Sequence, residues 1–145
     1  MDAILQAITP GTPRPEEYSD VEFWVNPERV GFLLKQGEHF KTWRRRWFVL
    51  KKGKLLWFKD PADVKPTAVP RGVVHVGKCT VIRGAEDVIN KANSFMVYID
   101  GWPRYYVAET DEEKEEWINS IARAIVQGSG LVTPDILDYN YINRH

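Results

Sequence analysis

WRRRWFVLKKGKLLWFKD, residues Trp43–Asp60, is the stretch whose reading decides the fold. Two apolar, β-favouring runs flank Lys52–Gly53, a dipeptide suited to a tight turn. WRRRWFVLKK (Trp43–Lys52) and KLLWFKD (Lys54–Asp60) are therefore predicted to form a hairpin. Side chains alternate along a strand, so Arg44, Arg46, Phe48 and Leu50 share one face, and Arg45, Trp47 and Val49 share the other. The first of these faces is doubly cationic at one end and apolar at the other. That is the pattern of a strand running from an open mouth into a core.

Outward from the hairpin, the chain continues in short β-like runs. VGFLLKQ (Val30–Gln36) precedes it across the loop GEHFKT. GVVHV (Gly72–Val76), CTVIR (Cys79–Arg83), SFMVYID (Ser94–Asp100) and RYYVAE (Arg104–Glu109) follow. Turn signals at Gly84, Asn90–Asn93 and Gly101–Trp102–Pro103 separate them. Seven short strands at this spacing indicate an antiparallel sandwich or barrel. The period then changes from two to 3.6. Thr110 and Glu113 fit a capping box, and Trp117, Ile118, Ile121, Ala122 and Ile125 form one apolar stripe. Gly128 is placed to end this helix. A single amphipathic helix after seven strands is expected to cap one end of a barrel and bury Trp117. Residues 1–28, with four prolines and no sustained period, read as an arm in which Ile4–Leu5–Ile8 and Phe23–Trp24–Val25 are short apolar pieces able to dock. Residues 128–145 read as an unassigned tail.

The 145 residues hold 20 basic and 20 acidic side chains, yet the charge is strongly polarised. Arg29 to Lys59 carries ten basic residues against Glu38 alone, and Glu109 to Glu116 carries six acids against Lys114. Lys35 ends the first strand and meets the start of the second, so Lys35, Arg44 and Arg46 converge at one open end. Like charges placed together are unfavourable without an anion between them. Arginine forks and a lysine point charge suit phosphate oxygens.

One cysteine, Cys79, excludes an internal disulfide, and three scattered histidines offer no metal cluster. No cofactor is expected. No apolar run approaches the roughly 20 residues that span a bilayer, and MDAILQAITP lacks the basic start of a signal peptide, so an intracellular soluble protein is expected. Nothing in the chain pairs a nucleophile with a base or cradles a nucleotide, so an enzyme is not expected. Basic residues interleaved with Trp43, Trp47 and Trp57 resemble a nucleic-acid stacking platform, but Trp47 and Arg44 fall on opposite faces. No nucleic-acid partner is expected.

Over Arg29–Gln127 the residues resemble the pleckstrin homology (PH) domain. The match rests on Lys35–GEHFKTW–Arg44–Arg45–Arg46 followed by WFVL, on Pro70–Arg71–Gly72, and on Glu115–Glu116–Trp117–Ile118. One such domain between short arms is similar to the small single-PH-domain proteins of plants. The resemblance implies an all-β fold with one C-terminal α-helix: a seven-stranded bent antiparallel barrel, residues 29–127, capped by the helix. It implies a phosphoinositide headgroup held at the opposite mouth by Lys35, Arg44 and Arg46, with outer contacts from Lys41 and Arg71 and with Phe40 at the membrane interface. Arg45 is expected to face away. Trp57, where members binding polyphosphorylated headgroups often present tyrosine, and Glu38 in the loop lean the expectation towards phosphatidylinositol 3-phosphate. Recruitment to the cytosolic face of an endosomal or plasma membrane follows. The alternative is a protein-interaction adaptor of the same fold with weak lipid binding, whose partner docks on the arms.

Overall fold

The computed structural model describes residues 12–36 and 42–129. Ile4, Leu5, Ile8, Phe40, Lys41 and the tail from residue 130 lie outside the described residues. Seven strands form one antiparallel sheet: β1 (Arg29–Gln36), β2 (Trp43–Lys51), β3 (Lys54–Phe58), β4 (Gly72–Val74), β5 (Val81–Gly84), β6 (Ser94–Ile99) and β7 (Trp102–Val107). Their order in space is β4-β3-β2-β1-β7-β6-β5. A short helix, α1 (Glu86–Ile89), links β5 to β6, and a long one, α2 (Asp111–Ser129), follows β7. The seven-strand, one-capping-helix architecture is the one the sequence predicts.

Hairpin β2–β3 closes on Lys52 (φ 48°) and Gly53 (φ 76°), with Lys51 opposite Lys54. Two successive left-handed residues make the tight turn whose twist matches the flanking strands. Asp100 (φ 53°) and Gly101 (φ 81°) do the same between β6 and β7, pairing Ile99 with Trp102. The turn expected at Gly101–Trp102–Pro103 is therefore one residue earlier, and Trp102 and Pro103 belong to β7. The proline sits near the strand's start, where a missing donor costs little.

The sheet curls around a core drawn from both its halves, with Leu33, Phe48, Leu50, Leu55, Phe95, Val97 and Tyr106 buried together under Trp117 and Ile121 of α2. Trp117 is 1% exposed and lies against Gly31, where an added Cβ would be 3.5 Å from the indole. Glu113 N–H donates to Thr110 Oγ1 at 3.0 Å, the N-cap the sequence predicts. Arg29 and Glu116 form an ion pair across the same end of the barrel. α2 thus closes the end where β1 begins.

Further boundaries differ from the sequence reading. β4 stops at Val74, because Val76–Lys78 coil into a 3₁₀ turn that drives Val76 and Cys79 into the core. β5 consequently starts at Val81 rather than Cys79. α2 runs through Gly128 to Ser129, so that glycine lies within the last turn and does not end the helix.

A second apolar cluster covers the sheet's outer face. Val21 and Phe23 are buried against Val49, Leu56 and Phe58, with Tyr18 and Trp24 packed beside them. Lys51 Nζ donates to Val25 O (2.6 Å), and Lys54 Nζ donates to Glu17 O (2.6 Å) and pairs with Asp20 (2.8 Å). Residues 12–28 are thereby strapped to β2 and β3.

Candidate functional site

Along β2 the inner face grades from exposed Arg44, through half-buried Arg46, to Phe48 and Leu50, which have no solvent exposure. The strand register sets Lys35 opposite Arg44 and Leu33 opposite Arg46. Leu33 is buried in the core, so Lys35, two residues on, points to the same side. These cations occupy the barrel end where β1 finishes, opposite α2.

Trp57 of β3 forms the floor. Its ring lies 5.6 Å from that of Phe48, and Lys35 Nζ stands 4.9 Å from its centroid. β4 approaches it from the other side. A Cβ at Gly72 would lie 1.9 Å from the indole, closer than any atom can stand, so only glycine fits there. Arg71 N–H donates to Trp57 O at 2.8 Å, and the Arg71 side chain is exposed. The Pro70–Arg71–Gly72 motif thus has a physical basis: the glycine admits the tryptophan and the arginine next to it stays at the mouth.

Arg46 carries the electrostatic signature of this cluster. Burial, followed by the neighbouring charges of Arg71 and Arg44, pushes its guanidinium below its ordinary value. It remains cationic, since arginine does not deprotonate in proteins, but it is held against repulsion. Its Nη1 donates to the Arg45 carbonyl at 3.0 Å. Among the described residues no ion pair engages Arg44, Arg46 or Arg71, whereas Arg29, Arg45, Lys54, Arg83 and Lys114 each have a carboxylate. Arg45 is on the outer face as expected, 2.9 Å from Glu109 and with its guanidinium carbon 3.5 Å from the Phe32 ring centroid.

One member of the site escapes the sequence reading. A cavity of about 400 Å³ is lined by Lys35, Gln36, Trp57, Gly72 and, from β7, Pro103, Arg104, Tyr105 and Tyr106. Arg104 shares its face with Tyr106, which is 2% exposed. Burial pushes the Tyr106 hydroxyl well above its usual range. Arg104 Nη1 is buried without a hydrogen-bond partner among the described residues. The alternation within RYYVAE contained the signal. It becomes legible only once β7 is known to pair with β1, through Lys35 and Tyr106. Thr12, Pro13 and Glu17 of the N-terminal segment line the same cavity.

The structure therefore groups Arg44, Arg46 and Arg71 beside Lys35, and Lys35 with Arg104 lines the cavity, whose lining does not include Arg44, Arg46 or Arg71. Lys41 and Phe40 fall on the β1–β2 connection, outside the described residues. Guanidinium and ammonium groups converging over an aromatic floor, at a mouth open to solvent, suit an anion with several oxygens. Among the described residues, no group of three or more His, Cys, Asp and Glu side chains is placed to hold a metal ion. No described helix is long and apolar enough to cross a membrane.

Comparison with known proteins agrees with this fold. The family model "PH domain" matches residues 27–126. The chain is 51% identical over 143 residues to Pleckstrin homology domain-containing protein 1 of Arabidopsis thaliana, covering 97% of this chain and 99% of that one. The C-terminal PH domain of human pleckstrin superposes with a TM-score of 0.60 at 31% identity, covering 74% of this chain and 94% of that one. A crystal structure of pleckstrin's C-terminal PH domain in complex with D-myo-Ins(1,2,3,4,5)P5 superposes at 0.53 with 30% identity, over 66% of this chain and 95% of that one. Strand order, the helix that closes one end, the cationic opposite mouth and these matches lead to one conclusion: the chain belongs to the PH domain family.

Proposed function

We propose that this protein is a non-catalytic membrane-recruitment module that binds a 3-phosphorylated inositol headgroup at the open end of its barrel. The carrying observation is the clustering of Arg44, Arg46 and Arg71 beside Lys35, which stands over Trp57; among the described residues none of the three arginines forms an ion pair, although the charge of Asp60 partly offsets the crowding at Arg46. Lys35, Arg44 and Arg46 take the ring phosphates, Arg71 and Lys41 the outer contacts, and Arg104 supplies a further donor from β7. Inositol pentakisphosphate bound to pleckstrin's C-terminal PH domain, a 30%-identical neighbour, supports the ligand class.

Within that class we favour phosphatidylinositol 3-phosphate. Glu17 lines the cavity, and Glu38 follows β1 two residues after Gln36 in the sequence; these acids disfavour a densely phosphorylated headgroup. The bulk of Trp57 on the floor acts in the same direction. Localisation to the cytosolic face of an endosomal or plasma membrane follows from this lipid.

Liposome co-sedimentation across the phosphoinositide series, at two salt concentrations, tests the reading with wild type beside Arg44→Ala/Arg46→Ala. Selective sedimentation that the double variant loses is the expected result. Sedimentation without headgroup selectivity, or none, would overturn it in favour of a protein partner.

A further inference from the structure

Trp102 is 72% exposed, the highest value among the exposed large hydrophobic side chains of the described residues. Val69 follows at 59%, and the others stand at 48% or below. Single exposed apolar residues are ordinary on a protein surface. Here, however, the two most exposed lie at one end of the barrel. β7 runs antiparallel to β1 with Tyr106 opposite Lys35, so the start of β7 lies where β1 finishes. Pro103 and Arg104, the residues after Trp102, line the same cavity as Lys35. Val69 stands two residues before Arg71, on the connection whose end Arg71 pins to Trp57.

The backbone that carries the indole is also fixed. Asp100 and Gly101 form a closed two-residue turn, Trp102 pairs with Ile99, and Pro103 fixes the backbone after it. A tight hairpin thus carries a large amphipathic ring beside a mouth rich in Lys and Arg. A soluble anion gains nothing from an exposed ring that stands outside its cavity. A bilayer with anionic lipids fits both parts: the cations face its negative surface, and tryptophan favours the boundary between headgroups and acyl chains.

We propose that Trp102 is an interfacial anchor that enters the headgroup–acyl boundary of an anionic bilayer, with Val69 on the opposite rim of the mouth as a lesser contact. The proposal deepens the headgroup-binding reading and rests on it for the orientation of the domain on the membrane. Insertion of the indole adds affinity for the vesicle without adding affinity for the soluble headgroup.

The test compares wild type, Trp102→Ala and Trp102→Phe. Three quantities are measured: affinity for phosphatidylcholine vesicles containing phosphatidylserine and phosphatidylinositol 3-phosphate, affinity for soluble inositol 1,3-bisphosphate by calorimetry, and quenching of tryptophan fluorescence by brominated phosphatidylcholine. Trp102→Ala is expected to lose about tenfold in vesicle affinity, the order of a partly buried aromatic side chain, and to keep wild-type headgroup affinity. Brominated lipid is expected to quench wild type more than Trp102→Phe. Unchanged vesicle affinity in Trp102→Ala, or equal quenching in wild type and Trp102→Phe, would overturn the anchor and leave headgroup binding intact. A parallel loss of soluble-headgroup affinity would also overturn it, because Trp102 would then be shaping the cavity. Failure of wild type to bind the soluble headgroup, with vesicle binding still dependent on Trp102, would remove the phosphoinositide reading and retain the anchor. Absence of vesicle binding by wild type overturns both.

Discussion

The ammonium of Lys35 stands 4.9 Å from the ring centroid of Trp57, which is itself held against β4 because residue 72 has no side chain. A cation over an indole face in a partly desolvated site gains about 0.5–2 kcal/mol. The contact also keeps the lysine at the mouth. Gly72→Ala forces Trp57 out of this position. Overpacking of that kind is expected to cost about 1–3 kcal/mol, read by urea denaturation, together with a clear loss of vesicle binding. A stable variant with wild-type binding would show that the Trp57 floor has no part in the site.

Arg46 and Arg45 are neighbours in sequence with opposite surroundings. Arg46 is crowded by Arg44 and Arg71, and Arg45 is satisfied by Glu109 and Phe32 on the outer face. Arg46→Ala is expected to abolish liposome sedimentation while leaving the thermal midpoint nearly unchanged or slightly raised, because repulsion is relieved. Arg45→Ala is expected to bind as wild type and to lose at most about 1 kcal/mol, as exposed ion pairs do. If Arg46→Ala unfolds the domain, the cation is structural and the site assignment is wrong.

Trp117 closes the far end of the barrel at 1% exposure. Trp117→Ala is expected to destabilise by about 3–5 kcal/mol, through lost burial and the cavity left behind. A loss below about 1 kcal/mol in chemical denaturation would mean the helix does not cap the core, since a buried aromatic costs more than that to remove.

Phe23 is 2% exposed and sits 5.4 Å from Phe58, ring centroid to ring centroid. Phe23→Ala is expected to cost a similar 3–5 kcal/mol or so in chemical denaturation, because the ring is buried against β2 and β3. A negligible stability change would show that residues 12–28 ride on the sheet without supporting it.

The features legible from the sequence are those set by neighbouring residues. The Lys52–Gly53 turn sets the β2–β3 hairpin, the period of two puts Arg44 and Arg46 in phase with Phe48, and Thr110 caps the helix that buries Trp117. Each follows from local backbone geometry within a few residues. Boundaries were less legible where an apolar run changes its backbone without changing its composition. Val76 is as buried in its 3₁₀ turn as it would be in a strand.

Sequence alone therefore determined the strand phases, the turn, the cap and the cationic end of β2, because alternation and turn chemistry are local. Only the tertiary structure decided that β7 lies beside β1 and brings Arg104 to the mouth, that Gly72 seats Trp57 beneath Lys35, and that Phe23 folds back onto Phe58. The physical reason is the same in each case. A period of two tells which face a side chain is on, but which distant strand or segment meets that face depends on how the whole sheet buries its apolar area.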